Sequence, residues 1–281
     1  MMNKKIKTSI ISLFILLVSF MSTGQVNAAN YKNYFGVEIT NQEYNTLINL
    51  GFTEEEIYYM SEETYLENKD ANATLVSQNT KYYKTIYTDL AGNPYNLEIT
   101  KDEYESQPNL NTRATVNTEY KQMTSILSQN GSKFRYKVSL GWKNMPSKRS
   151  FDIIGVGFSD NVYIDSSVYF NFYWCKSSGT CITDASYYNK KSTSTGGAAV
   201  FDFPDDAVSL SATLYYDVSK NTSNTITSLS MCGDYAHATS NVSVGSVSNY
   251  NISRIGIELG SSIISKYDEI PCAISTWSGS W

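Results

Sequence analysis

The runs FRYKVSLGWKNMP (134–146), SKRSFDIIGVGFS (147–159) and SSVYFNFYWC (166–175) decide the fold of this chain. Each run is rich in β-branched and aromatic residues, and polar breaks that contain proline or serine separate them. This composition is typical of consecutive strands in a packed sheet. The stretch carries no cluster of nucleophile, base and metal ligands, so it predicts architecture and not chemistry.

Strand patterns continue on both sides of this stretch. Asn130-Gly131 lies between two strand-like runs and is a strong β-hairpin signal. Further runs follow downstream, at 198–203, 209–218, 225–232, 236–244, 252–259 and 263–267. Short strands with Gly, Ser and Asn turns predict a sandwich or barrel. We therefore expect residues 119–281 to form a sandwich-like, disulfide-bonded all-β domain.

Residues 30–107 have a different pattern. TNQE (40–43) and TEEE (53–56) are capping boxes that open short helices. Residues 80–99 alternate with period two around AGNP (91–94), which predicts a β-hairpin. The fold class predicted for the whole chain is therefore α+β, with a small helical and hairpin domain in front of the β domain.

Charge supports a division into two domains. Residues 30–107 hold 14 acidic against 5 basic side chains, whereas residues 108–281 hold 13 against 14. The polar segment 108–118 contains Pro108 and shows no periodicity, so we expect the linker there. The chain has neither a basic stripe nor a basic helix face, which argues against nucleic acid or an anionic membrane as the main partner.

The first residues have the form of a secretory signal peptide. Three lysines precede the apolar run 10–20, and small residues follow, which predicts a signal peptide over residues 1–28 with cleavage after Ala28 or Ala29. An uncleaved membrane anchor is the alternative. We expect a secreted, extracellular protein with no stable membrane span after cleavage.

The four cysteines fit an exported protein. They allow three pairings, of which we favour Cys175–Cys181 and Cys232–Cys272. A zinc site is the alternative interpretation, but the chain has no C-x-x-C pair and its single histidine is not at a ligand-like spacing. We expect no metal and no cofactor.

Candidate chemical residues are few. His237 with Asp234 nearby would suit a histidine base, although a histidine that only satisfies a hydrogen bond is the simpler interpretation. The acidic residues of FDFPDD (201–206) would suit calcium or a solvated turn. Lys143, Lys148 and Arg149 form a basic loop, which either binds an acidic partner such as the front domain or is simply solvated.

Two segments resemble a known group of proteins. The carrying residues are EY (43–44) and LGF (50–52) in front, and WKNMPS (142–147) and RSFDII (149–154) behind. They resemble secreted Gram-positive proteins associated with bacteriocin systems, of the closticin-precursor type. Such precursors carry an apolar, helical toxin segment at their C-terminal end. The sequence up to Trp281 contains no segment of this kind after the β-strand pattern. The resemblance implies no catalytic residues.

Three functions follow as hypotheses. The first is a secreted, non-enzymatic protein of a bacteriocin-like system, either antimicrobial or accessory. The second is an extracellular β-sandwich binding module for cell-wall glycan or a host surface, whose partner is an unidentified protein or cell-surface ligand. The third is a secreted hydrolase.

Overall fold

The structure, a computed structural model, describes residues 30–87, 94–107, 118–159, 161–243 and 245–281. Its helices are α1 (Asn41–Asn49), α2 (Glu54–Tyr58), α3 (Glu62–Asn68), α4 (Lys101–Ser106) and a 3-10 turn (Ile264–Lys266). Its strands are β1 (Tyr31–Lys32), β2 (Glu38–Ile39), β3 (Ala73–Ile86), β4 (Tyr95–Ile99), β5 (Thr118–Asn130), β6 (Lys133–Trp142), β7 (Phe151–Phe158), β8 (Val162–Ile164), β9 (Tyr169–Lys176), β10 (Cys181–Asp184), β11 (Asn189–Ser192), β12 (Gly196–Asp202), β13 (Ala207–Lys220), β14 (Ser228–Ala238), β15 (Tyr250–Ser253), β16 (Gly256–Leu259) and β17 (Tyr267–Ser278).

Two antiparallel sheets form the body of the molecule. The larger sheet has the order β10-β9-β13-β6-β5-β3-β4, with β8 also paired to β13. The smaller sheet has the order β11-β12-β7-β14-β17. Small ladders join β1 to β2 and β15 to β16. The predicted predominance of β-structure is confirmed, and the body is sandwich-like.

Alternation along the strands explains why the sheets pack face to face. From β6, every second side chain enters the core: Phe134, Tyr136, Val138, Leu140 and Trp142. From β7, the core receives Ile154, Val156 and Phe158. Burying one such side chain contributes about 1.5–3 kcal/mol, so this common core is the main source of stability. The remaining face of the larger sheet is the outer face.

The capping boxes open their helices as predicted. Thr40 accepts from the backbone N–H of Glu43, and the Glu43 carboxylate accepts from the N–H of Thr40 at 2.8 Å. Thr53 and Glu56 make the same pair of bonds at α2. These bonds satisfy N–H groups that the first helical turn leaves free.

Helices α1 to α3 form a helical layer on the outer face of the larger sheet. Leu47, Phe52 and Ile57 pack with Tyr215 of β13 in a small apolar cluster. Gly51 joins α1 to α2 with a φ of +88°, and a Cβ atom there would lie 2.2 Å from Ile126 Cγ2. Only glycine therefore allows this close approach of the joint to the sheet.

Buried charges fix the helical layer as well. Lys137 of β6 pairs with Glu56 of α2, and both side chains are buried. Arg135, two residues earlier on the same face, pairs with Asp217 at 2.7 Å and donates to the Asn68 side chain of α3. Lys137 and Arg135 thus both lie on the outer face, and the acidic front segment supplies Glu56 as the partner of Lys137.

Front and rear segments share one sheet. Strand β3 pairs with β5 from Ala73↔Asn130 to Ile86↔Thr118, and β4 extends the sheet beyond β3. The β3–β4 pairing confirms the predicted hairpin, whose turn lies mostly outside the described residues. Most of the predicted linker, 108–118, also lies outside them, so the division into domains 30–107 and 119–281 remains a prediction.

Both disulfides have the favoured pairing. Cys175–Cys181 closes the turn between β9 and β10, and Cys232–Cys272 joins β14 to β17. The signal peptide and its cleavage at Ala28 or Ala29 fall on residues 1–29, outside the described part, and remain predictions. Among the described residues no helix has both the length and the apolar character to cross a membrane.

Three strand predictions need correction. Residues 252–259 are not one strand, because Gly256 turns the chain with a φ of +114° and separates β15 from β16. The runs 225–232 and 236–244 are not two strands, because parts of both belong to the single strand β14 (Ser228–Ala238). The register of β14 shifts between Gly233 and Tyr235. Residues 264–266 form the 3-10 turn before β17.

Candidate functional site

The most distinctive surface feature is a row of residues that crosses five strands of the outer face. The cross-strand registers place Tyr82 opposite Gln122, Gln122 opposite Gly141, Gly141 opposite Ser211, and Ser211 opposite Tyr173. Four strand spacings separate the two tyrosines, which is about 19 Å. The row therefore has an aromatic side chain at each end and none between them.

The strand alternation fixes which way this row points. Met123, Leu140, Leu210 and Phe172, each next to a member of the row in sequence, all lie in the sandwich core. Their neighbours in the row must point away from the core, because successive side chains on a strand face opposite sides. Four members of the row line a depression on the outer face, namely Gln122, Gly141, Ser211 and Tyr173, and Tyr82 contacts its lining residue Tyr104.

Residues from α4 and from the segment around α2 border this depression. The Tyr104 ring of α4 lies 5.0 Å from the Tyr82 ring, and Tyr173 at the other end stacks on Tyr59 at 4.7 Å. Glu55 in the first turn of α2 lines the side. We call this depression the outer-face cleft, and its volume is about 90 Å³. That is room for several water molecules.

The floor of the cleft is small and polar. Besides Gly141 and Gln122, the floor includes the side chains of Ser139, Ser209 and Ser211. Hydroxyl and amide groups donate and accept hydrogen bonds without carrying charge. At one end the Tyr173 ring is buried and stacks on Tyr59. At the other end the Tyr82 and Tyr104 rings are partly exposed and offer apolar surface with a polar tip.

The electrostatics of the cleft are mildly acidic. Burial raises the pKa of Tyr173 well above its ordinary value, and Glu55 and Glu56 raise it further. Burial likewise raises the pKa of Tyr104, with Glu55 as the next cause. Both tyrosines thus stay protonated and neutral at physiological pH. None of the described residues that line the cleft is basic, so the cleft suits a neutral, hydroxyl-rich ligand better than an anion.

Sequence reasoning missed this site. Its members are spread over β3, β5, β6, β9 and β13, and β13 pairs with β6 and β9, although neither strand adjoins it in the chain. The available signal was the row of small polar residues alternating with core positions in GW (141–142) and SLS (209–211). That signal indicates that the small polar residues face solvent. It does not show that they lie opposite one another on neighbouring strands.

His237 lies in the sandwich interior, where its ring packs against Trp142 with the ring centroids 4.9 Å apart. Its Nδ1 lies 3.0 Å from the Asp152 carboxylate, and both side chains are fully buried. Asp234, considered from the sequence as its partner, is three positions earlier on the same strand and therefore faces the opposite side. Asp234 instead accepts from the N–H groups of Tyr235 and Ile257. A hydrolase built on His237 would need substrate access that this position does not provide.

The other sequence candidates have structural partners. Asp206 pairs with Lys176 at 2.7 Å and accepts from Trp174 Nε1. No group of three or more His, Cys, Asp or Glu side chains within the described ranges is placed to hold a metal ion. The three acids of FDFPDD are exposed, which fits the interpretation as a solvated turn after a strand.

The basic loop does contact the front segment. Lys143 Nζ donates to the carbonyl oxygens of Tyr104 and Glu105, at 2.7 and 3.0 Å, near the end of α4. A cation at a helix C-terminus is favourable because the free carbonyl groups point there. Arg149 instead binds the carbonyl groups of residues 204, 205 and 207. Lys143 thereby holds Tyr104, one wall of the cleft.

No family model and no curated protein matches this sequence. The collagen-binding domain of the Erysipelothrix rhusiopathiae surface protein RspB overlaps with a TM-score of 0.27 and 6% identity, over 57% of this chain and 66% of that domain. The chain thus spans slightly less than two thirds of it. Clostridium perfringens delta-toxin overlaps with a TM-score of 0.22 and 10% identity, over 73% of this chain and 92% of the toxin. Overlaps of this size define no common fold and carry no functional conclusion.

Proposed function

We propose that this protein is a secreted, non-enzymatic binding module that holds a neutral glycan in the outer-face cleft. The observation that carries the proposal is the row from Tyr82 to Tyr173, with aromatic rings at the ends and glycine, serine and glutamine between them. Sugar rings present an apolar face and a rim of hydroxyl groups. An aromatic wall beside a polar floor complements both at once.

Charge narrows the ligand class. Glu55 lines the cleft and its lining residues include no cation among those described. A uronate or sulfated sugar would meet the Glu55 carboxylate, which is unfavourable. Lys143, whose Nζ lies 5.1 Å from the Tyr104 ring centroid, already donates to the carbonyl groups of Tyr104 and Glu105. The cleft therefore fits uncharged sugars such as cell-wall or host-surface hexose and N-acetylhexosamine units.

A glycan array followed by isothermal titration tests this function. We expect the purified protein to bind neutral glycans and to ignore heparin and hyaluronate. Tyr104→Ala should remove the binding, whereas Tyr163→Ala should keep it, because Tyr163 is an exposed tyrosine of β8 outside the cleft. A blank array together with no capture by cell-wall preparations would contradict the proposal.

A role in a bacteriocin-like system is a second proposal, and it rests on the sequence resemblance. The segments that carry it lie at the joint between α1 and α2 and around the start of β7, where they serve packing. A growth-inhibition assay against related bacteria, with and without a co-encoded toxin, tests it. Absence of any effect would remove this proposal and leave the glycan proposal standing.

A further inference from the structure

A second aromatic group adjoins one end of the outer-face cleft. It consists of Tyr59, Tyr58, Tyr34 and Phe35, which we call the aromatic ladder. Tyr59 lies between the ladder and the cleft, because its ring stacks on Tyr173 at 4.7 Å and contacts Tyr58 at 4.8 Å and Tyr34 at 5.4 Å. Tyr34 in turn contacts Phe35 at 5.1 Å.

The ladder is exposed and not part of the core. Tyr34, Phe35 and Tyr58 are each 39–40% exposed. Scattered surface aromatics need no explanation, but a contiguous group marks an interaction site. Neighbouring rings lie 4.7 to 6.0 Å apart, centroid to centroid, so they form one continuous aromatic surface.

The ladder is also held in place. The N–H of Tyr34 donates to the carbonyl of Tyr58 at 2.9 Å, which ties the two segments together. The Tyr34 hydroxyl accepts from the N–H of Cys181 at 3.1 Å, beside the disulfide to Cys175. Rings that are fixed before binding lose little freedom when a ligand arrives.

We propose that the cleft and the aromatic ladder together bind a linear, neutral polysaccharide, whose successive units run from the cleft across Tyr59 and Tyr58 toward Phe35. This inference rests on the proposed function. It specifies the ligand as a polysaccharide chain and not a single sugar. Two features support a neutral sugar as the occupant. The ladder is mainly tyrosine, whose rings carry hydroxyls, and the Glu55 carboxylate lines the adjoining cleft and raises the pKa of Tyr59, next after burial. A carboxylate at this position disfavours an anionic ligand.

The test is titration with two series of oligosaccharides of one to six units, one of linked glucose and one of linked N-acetylglucosamine. We expect affinity to rise with chain length in the series that binds. Tyr58→Ala and Phe35→Ala should each weaken binding of the longest member by about tenfold, while leaving the shortest binder unchanged. Tyr163→Ala is the matched control.

The outcomes separate the two proposals. Length-independent binding, or full affinity of Tyr58→Ala for the longest member, would overturn the ladder while leaving the cleft in place. No binding by any member of either series would overturn this inference, and only a blank glycan array with no capture by cell-wall preparations would contradict the proposed function as well. Sedimentation with neutral phosphatidylcholine vesicles that Tyr58→Ala abolishes would show that the ladder meets lipid, which would also overturn it.

Discussion

Lys137 of β6 donates to both carboxylate oxygens of Glu56 in α2, at 2.9 Å each, and neither side chain is open to solvent. Lys137 also donates to the carbonyl of Gly51, while Glu56 accepts from the hydroxyls of Ser139 and Thr213. Together with the apolar packing of Phe52 and Ile57, these buried bonds set where α2 lies on the outer face. They therefore also set the position of Glu55, the next residue back, at the side of the cleft.

Breaking this pair on one side should be costly. Glu56→Gln or Lys137→Met leaves the other charge buried without its partner, which costs about 3–5 kcal/mol of unfolding free energy. The double variant should lose much less than the sum, because both charges leave together. Urea unfolding of the four proteins measures this coupling. Losses that simply add would show that the two residues act independently.

The same pair predicts an acid sensitivity. Burial alone would raise the pKa of Glu56, but Lys137 and the neighbouring hydroxyls outweigh burial and hold it below the ordinary value of 4.5. The folded state then binds fewer protons than the unfolded state, so this stabilisation is present above pH 4.5 and is lost as the pH falls through the folded-state pKa. Unfolding free energies from pH 7 to pH 3 should drop for the wild type below pH 4.5. Glu56→Gln should lack that component, and an equal drop in both proteins would assign the acid sensitivity to other groups.

The sequence predicted the elements that depend on local pattern. Alternation along 134–142 is enough to orient Phe134 and Trp142 inward, and a capping box marks Glu56 at the start of α2 because its bonds are made within three residues. The cysteines at 175 and 181 flank a turn, so their pairing is also local.

The site could not be predicted in the same way. Aligning Gly141 with Ser211 and Tyr173 requires the order and register of strands far apart in the chain, which no short pattern specifies. The sequence predicts Glu56 as the acid of a capping box at a helix start, which does not indicate whether it is buried. Its burial follows only when Lys137 is known to face the helical layer.

The two disulfides should differ in their contribution to stability. Chain entropy gives about 4 kcal/mol for Cys232–Cys272, whose cysteines are 40 residues apart, and about 2 kcal/mol for Cys175–Cys181, 6 residues apart. Pairwise serine variants compared by thermal unfolding should therefore rank in that order. An equal loss for both, or a larger loss for the short loop, would contradict the ranking.

Asp152 should be a structural residue of the interior. Its carboxylate accepts from the N–H of Ala238 and from the Tyr235 hydroxyl, besides its contact with His237. Asp152→Ala leaves these donors without an acceptor and should cost about 3 kcal/mol or more. Asp202→Ala, at the exposed end of β12, should cost less than about 0.5 kcal/mol. Chemical unfolding of both variants checks the contrast, and a tolerated Asp152→Ala would show that the network is dispensable.

Gly141 offers a way to close the cleft without unfolding the protein. The three atoms nearest to a Cβ atom there would be side-chain atoms of Gln122, at 3.3 to 3.8 Å, and the φ of Gly141 lies outside the left-handed region. Valine suits a strand, so Gly141→Val should change the unfolding free energy by less than about 1 kcal/mol.

The same substitution places a branched side chain at the centre of the floor, between Gln122 and Ser211. Titration should therefore show glycan affinity lowered by about tenfold or more. Gly245→Val, where a Cβ meets nothing within 4 Å, is the neutral control. In Gly157→Val the new Cβ would lie 2.2 Å from the Ser253 carbonyl oxygen, so this variant should unfold. It shows the effect expected when a glycine is required for packing. If Gly141→Val folds and binds glycan at wild-type affinity, the ligand does not occupy this cleft.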